Sequence, residues 1–268
     1  THYHIPNRIT EGYGLSKEGV LRAKALGARL IITVDCGVSS EEEVSMAVAQ
    51  GIGVIITDHH EPPERLPDAE AIINPHRIDS EYPFKYLAGV GVAYKLVQAL
   101  FQTIPLYPPL AKGGRGDLNT QLEALLALVA LGTVADSVPL IGENRILVTY
   151  GLKALNSNSA GPWVSILRET SGTGDKELRS LLLSYTLIPR INAAGRLGEA
   201  DEVVEFFLTQ DMAKAKGIAL HLETRNRERQ RIEGDVYKSA VSMIDADKLD
   251  SAIVLYSSQW HPGVIGIV

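Results

Sequence analysis

Two continuous apolar runs, Leu30-Ile-Ile-Thr-Val34 and Gly53-Val-Ile-Ile-Thr57, flank a stretch with helical spacing. Runs of that length without polar alternation are buried on both faces. Strands of that kind joined through helices belong to parallel sheets, so the chain is expected to be α/β. Open sheets of this class collect ligands outside the carboxyl ends of their strands. Here those ends carry chemistry: Asp35 follows the first run, and Asp58-His59-His60 follows the second.

The surrounding pattern supplies the rest of the architecture. Tyr3–Ile5 alternates like a short strand, and Ala71–Ile73 reads as another. Ser16 is placed to cap a helix through Leu26, with Gly27 as its stop. Ser39 or Ser40 opens a helix through Ala49, and Glu41, Glu42 and Glu43 favour its positive end. From about residue 88 the spacing turns helical: Val90–Phe101, a Pro- and Gly-rich loop (Pro105, Pro108, Pro109, Gly113, Gly114, Gly116), then Leu122–Val134. Further helices are expected over about 144–155, 162–169, 175–185 and 200–208. Asp211 caps a helical pattern reaching about Ile244, polar in its middle at Arg225-Asn-Arg-Glu-Arg-Gln-Arg231. A helix so long and polar reads as a connector between domains. Ala252–Tyr256 reads as a buried strand that opens something new. No internal repeat or low-complexity tract is visible. Thr1-His-Tyr-His-Ile5 and Gly263-Val-Ile-Gly-Ile-Val268 both read as cut from a longer protein.

Composition excludes some functions. With 268 residues, 45% of them hydrophobic, the chain can build a substantial core. Its net charge of −6 excludes general polyanion binding, so any nucleic-acid contact must come from a local basic groove. A single cysteine, Cys36, permits no intrachain disulfide and fits a reducing compartment such as the cytoplasm. No apolar stretch approaches the roughly 20 residues of a membrane-spanning helix.

Asp35, His59, His60 and Asp136 are the candidate metal and acid–base groups. Carboxylate and imidazole together suit Mn²⁺, then Mg²⁺, with Zn²⁺ less suited where no cysteine ligands accompany them. The competing reading makes Asp58 a turn cap and the histidines surface residues. Asp35 at a parallel strand end weighs against it. Asp136 ends an apolar helix, the unfavourable end of the helix dipole for a carboxylate. Either a metal compensates it there or it is a solvated turn acid. Arg190-Ile-Asn-Ala-Ala-Gly-Arg196 carries two arginines and an amide around a flexible Ala-Ala-Gly. It is a phosphate grip or a charged helix-end loop. Pro6-Asn7-Arg8 and Glu11-Gly-Tyr-Gly14 form a second loop of that sort. Cys36 reads as a small packing residue, and His76 and His221 as structural or surface residues.

Seven segments then occur in the order found in one family: Ile5-Pro-Asn-Arg-x-x-Glu-Gly-Tyr-Gly-Leu15, Val34-Asp-Cys-Gly37, Asp58-His-His-Glu-Pro-Pro63, Leu87-Ala-Gly-Val-Gly-Val92, Gly132-Thr-Val-Ala-Asp136, Arg190-Ile-Asn-Ala-Ala-Gly-Arg196 and Trp260-His-x-Gly-Val-Ile-Gly266. Across essentially its whole length the chain resembles the RecJ-type single-strand-specific exonucleases of the DHH phosphoesterase superfamily. The resemblance implies 5′-to-3′ hydrolysis of single-stranded DNA with two Mn²⁺ or Mg²⁺ ions, in repair and recombination. It also implies association with single-strand-binding protein and a helicase. It casts Asp35 as a carboxylate bridging two metals, His59 and Asp136 as metal ligands, His60 as the group facing the scissile phosphate, and Asp58 as the residue that orients the histidines. Arg190, Asn192, Arg196 and Arg8 are cast as contacts to the DNA backbone.

The resemblance divides the chain into a DHH domain over 1–210, a connector helix over 211–244 and the start of a DHH-associated domain over 245–268. The family's Asp-x-Asp motif on a first strand is missing. Asp245-Ala-Asp247 stands in the wrong place for it and reads as a helix-end turn. The chain is therefore expected to be an internal fragment that binds one metal weakly or none, has little nuclease activity, and carries an exposed sheet edge. A DHH enzyme of short oligonucleotides or other small phosphates is the alternative, and a non-catalytic scaffold is the third reading.

Overall fold

The computed structural model describes residues 1–103, 114–157, 160–198, 200–244 and 252–268. Three strands form one parallel sheet in the order β1 (Leu30–Val34), β2 (Gly53–Thr57), β3 (Ala71–Ile73). Leu30 pairs with Gly53 and Val34 with Thr57, so the two apolar runs lie side by side in full register. Helices α1 (Lys17–Ala25) and α2 (Glu41–Ala49) cover one face. Val20, Val44 and Ala47 from these helices are buried against Val54 and Ile56 of the sheet. Ser16 caps α1, its hydroxyl accepting the Gly19 N–H at 3.0 Å. The opposite side of β1 presents Leu30, Ile32 and Val34, all exposed, and β1 is an edge among the described residues.

After β3 the chain is helical: α3 (Gly89–Thr103), α4 (Gly114–Ala135), α5 (Gly142–Asn156) and α6 (Pro162–Ser171). The α4–α5 pair packs so closely that a Cβ at Gly151 would lie 2.2 Å from the Leu126 carbonyl oxygen. Leu87, Val92, Val129 and Leu147 join α3, α4 and α5. A larger core of Leu155, Leu167, Leu183, Leu187, Phe206 and Leu222 gathers the remaining helices.

The region expected to be helical over 175–185 is organised differently. Helix begins at Ser180 as the short α7 (Ser180–Leu182), widens into a π turn over Leu183–Leu187, and continues as α8 (Ile188–Arg196). Pro189 explains the widening. It has no N–H and crowds the carbonyl one turn back, and the wider turn relieves both conflicts. The Ile188 N–H reaches the Leu183 carbonyl accordingly. The Arg190–Arg196 segment is thus helix rather than flexible loop.

Helices α9 (Asp201–Leu208) and α10 (Met212–Ser242) follow, the latter capped by Asp211 as expected. No helix among the described residues is long and apolar enough to cross a membrane.

Two expected strands are not strands. Tyr3–Ile5 and Ala252–Tyr256 have no ladder partner among the described residues, and an apolar or alternating run alone does not make a strand. Gly114 and Gly116, placed in a loop by composition, lie inside α4. Pro105, Pro108, Pro109, Gly113 and Asp245-Ala-Asp247 lie outside the described residues.

Candidate metal centre

The carboxyl ends of β1 and β2 form the floor of the site. Asp35 takes a left-handed conformation (φ +62°) just past β1, while its N–H still reaches the Thr57 carbonyl at 2.9 Å. Such a conformation costs about 1 kcal/mol or more for a residue with a Cβ, and Asp tolerates it better than most. Ser137 (φ +60°), next to Asp136, is the other non-glycine of this kind among the described residues. Both bends flank the same site.

His59 is the centre of the arrangement. Its Nε2 lies 3.1 Å from Asp35 Oδ1 and 3.4 Å from Asp136 Oδ2. Neither contact has hydrogen-bond alignment, so Nε2 is buried against two carboxylates without an aligned hydrogen bond. A buried polar atom in that condition calls for an explanation. A divalent ion supplies one: two adjacent ligands on an octahedral ion with bonds near 2.1 Å stand about 3 Å apart. The donor set of two carboxylates and an imidazole fits Mn²⁺ or Mg²⁺. Ligand atoms of Asp35, His59 and His60 lie within 4.8 Å of one another.

Electrostatics agree with the geometry. The Asp35 carboxylate holds the His59 imidazole above its ordinary pKa against the effect of burial, and Asp136 and Asp58 add to the rise. Burial pushes the Asp136 carboxyl up, and Asp35 adds to the rise while His59 opposes it. Asp136 caps the carboxyl end of α4, its N–H bonded to the Gly132 carbonyl at 2.9 Å. A carboxylate at that end of a helix, beside another carboxylate, stands where a cation is favourable.

Asp58 does not face this cluster as a ligand. It is 1% exposed and accepts four hydrogen bonds: from Val38 N–H at 3.0 Å, His59 N–H at 2.8 Å, His60 N–H at 3.2 Å and His60 Nδ1 at 2.6 Å. Burial alone would raise its pKa, but these bonds outweigh burial and hold it below the usual carboxylate range. With Nδ1 so engaged, the free nitrogen of His60 is Nε2, on a side chain that is 62% exposed. Cys36 is pushed up to about 11 by burial and by Asp58 and Asp35, so it carries no thiolate.

Two residues with no assigned role border the site. Gly89, the first residue of α3, lies so close that a Cβ there would stand 2.0 Å from Asp35 Oδ1. The paired glycines of Leu87-Ala-Gly-Val-Gly-Val92, at a helix start, were the available signal. Asn74, directly after β3, donates to the His60 carbonyl at 2.9 Å. An Asn before a proline reads as an ordinary turn, so the sequence offered no sign of this contact.

Helical spacing separates the candidate phosphate contacts on α8. Arg190 turns toward α10, pairs with Glu223 at 2.6 Å and donates to the Thr186 carbonyl at 2.6 Å. Asn192 is exposed. Arg196 faces the chain's last segment, where a Cβ at Gly263 would stand 2.2 Å from the Arg196 carbonyl oxygen. Burial lowers the Arg196 pKa, and nearby Arg8 and Arg229 lower it further against Glu233. Arg8 lies 4.4 Å over the Tyr13 ring, and its loop is tied to the end of α8 by Asn7 Nδ2 donating to the Gly198 carbonyl at 3.1 Å. Among the described residues, Arg8, Arg229 and Glu233 are the charged groups that act on Arg196.

Parallel strand ends thus present Asp35 and Asp58-His59-His60 toward Asp136 at the end of a following helix. Residues 1–133 match the DHH family, N-terminal domain, and this part of the chain belongs to that family. Among curated proteins it is similar to the single-stranded-DNA-specific exonuclease RecJ of Dickeya dadantii (strain 3937), 43% identical over 99% of this chain and 47% of that protein. It is also similar to the RecJ of Bacillus subtilis (strain 168), 39% identical over 99% of this chain and 32% of that protein. A crystal structure of exonuclease RecJ bound to manganese superposes with a TM-score of 0.81 at 33% identity, over 99% of this chain and 63% of that one. RecJ from Thermus thermophilus in complex with Mn²⁺ superposes with a TM-score of 0.77 at 32% identity, over 94% of this chain and 35% of that one. The chain spans about half or less of the length of these curated relatives.

Proposed function

We propose that this chain is the catalytic part of a metal-dependent exonuclease that hydrolyses single-stranded DNA from 5′ to 3′. The observation that carries the reading is His59 Nε2, buried between the Asp35 and Asp136 carboxylates without an aligned hydrogen bond, at the spacing of ligands on one divalent ion. Support comes from RecJ relatives whose structures are described with Mn²⁺ or Mg²⁺.

In this reading Asp35, His59 and Asp136 would hold the metal. A metal held there would supply Lewis acidity and neutralise charge on the phosphoryl group. His60 presents Nε2 to the scissile phosphate and stabilises the charge that develops there, while Asp58 fixes its ring. Arg8 and Arg196, with Arg229 beside them, grip the DNA backbone, and Asn192 lies exposed on the same helix for a further contact. Arg190 joins them when phosphate displaces Glu223. The residues divide into the DHH domain over 1–210, a connector helix over 211–244 and the start of a DHH-associated domain over 245–268. Repair and recombination, in the cytoplasm and alongside single-strand-binding protein and a helicase, form the setting of the whole protein.

The test compares, in the full-length protein, Mn²⁺-dependent turnover of a 5′-phosphorylated single strand with that of a dinucleotide, using strands labelled at either end. Faster turnover of the strand, with mononucleotides released from its 5′ end, is expected. A preference for the dinucleotide would sink the reading in favour of a small-phosphate enzyme.

A further inference from the structure

We propose that Asn74 is a positioning residue that sets where His60 Nε2 points. The proposal rests on the role given to His60 above. Asn74 follows β3 directly and is 4% exposed. Its side-chain amide works in two directions. Oδ1 accepts the His76 N–H at 2.8 Å, and Nδ2 donates to the His60 carbonyl at 2.9 Å.

The first bond is what an asparagine does in any turn of this type, where the side-chain oxygen takes the N–H two residues on. The second bond is not part of such a turn. It crosses from the end of β3 to the end of β2 and holds the backbone of the one site residue whose ring stands largely in the open. Between them, Asp58 and Asn74 hold His60 at its ring, its N–H and its carbonyl. Asp58 holds ring Nδ1 at 2.6 Å and the N–H at 3.2 Å, and Asn74 holds the carbonyl. Without Asn74 the ring remains tethered, but the peptide after it is free to rotate and to carry the ring along. A displacement of about 1 Å in a reacting group is enough to slow a reaction about 100-fold.

The two functions of Asn74 can be separated chemically. Asn74→Asp keeps the oxygen that accepts from His76 and removes the donor to His60. Asn74→Ala removes both without adding charge. In the full-length protein with Mn²⁺ and a 5′-phosphorylated single strand, both substitutions are expected to lower kcat by about 10- to 100-fold. KM and the Mn²⁺ affinity measured by calorimetry are expected to stay near wild type, because the Asn74 side chain is buried and both its amide atoms are engaged within the protein. A residue needed only for folding would lower the thermal midpoint and reduce binding along with turnover.

The decisive measurement repeats both substitutions in a His60→Ala background. If Asn74 acts through His60, they add nothing there. An equal loss in both backgrounds overturns the proposal while leaving His60 in the mechanism. Wild-type turnover in His60→Ala alone removes His60 from the mechanism, and the positioning role of Asn74 with it.

Discussion

Asp58 Oδ1 takes the Nδ1 proton of His60 at 2.6 Å while the other oxygen of the same carboxylate takes the Val38 N–H at 3.0 Å. One buried acid thus fixes the ring of an exposed histidine and the turn after β1, where Asp35 sits. Asp58→Ala leaves several of these donors unpaired and is expected to lower stability by about 2–3 kcal/mol. Because its folded pKa is depressed, the contribution of Asp58 is complete above its ordinary 3.8 and is lost as pH falls through the lower folded value. Urea midpoints measured down to strongly acid pH should show this acid limb in the wild type and a weaker one in Asp58→Asn. Superimposable curves would contradict the role.

His59 behaves with the opposite sign. Its pKa is raised above the ordinary 6.5, so in the metal-free protein its contribution to stability is complete below 6.5 and is lost as pH rises through the folded value. A metal must displace that proton. Apparent Mn²⁺ affinity should therefore fall as pH drops, by up to about tenfold per unit, with proton release on binding. Calorimetry in buffers of different ionisation enthalpy measures that release. Its absence, or undiminished affinity in His59→Ala, would remove His59 from the ligand set.

Gly89→Ala is a small change that should act at a distance from its own helix. Alanine ordinarily favours a helix over glycine by about 1 kcal/mol. Here its Cβ would stand 2.0 Å from Asp35 Oδ1. Mn²⁺ affinity is expected to fall about 10- to 100-fold while the thermal midpoint changes little. Unchanged metal affinity would show that the α3 start does not shape the Asp35 carboxylate.

Glu223 holds both Arg190 at 2.6 Å and Arg227 at 3.0 Å. Glu223→Gln removes a charge that competes with phosphate for these arginines. Single-stranded DNA should bind a few-fold tighter at low salt, with a steeper salt dependence. Fluorescence anisotropy across a salt series measures both. Weaker binding would mean that Glu223 holds Arg190 in its working position.

Much of this arrangement was legible in the sequence because parallel strands announce themselves. Leu30–Val34 and Ala71–Ile73 lie where the apolar runs placed them, and Asp35 and Asp58-His59-His60 fall at strand ends as that reading required. Asp136 was harder, since nothing local says that the end of α4 returns to the sheet. The stretch before Arg190 was misread because Pro189 signals a break, and a π turn absorbs it instead. Tyr3–Ile5 and Ala252–Tyr256 carry the patterns of strands without a neighbour to pair with. Asn74 and Gly89 were invisible as site residues because their roles depend on which other element lies close to them in space.

The left-handed bends at Asp35 and Ser137 also bear on kinetics. Both are formed in the folded chain, so the backbone beside the two carboxylates already has the conformation of the proposed site. Loading of the proposed site is then limited by how fast the incoming ion sheds water, not by rearrangement of the protein. Mg²⁺, which dehydrates reluctantly, should enter more slowly than Mn²⁺ even at concentrations where the two fill the site equally.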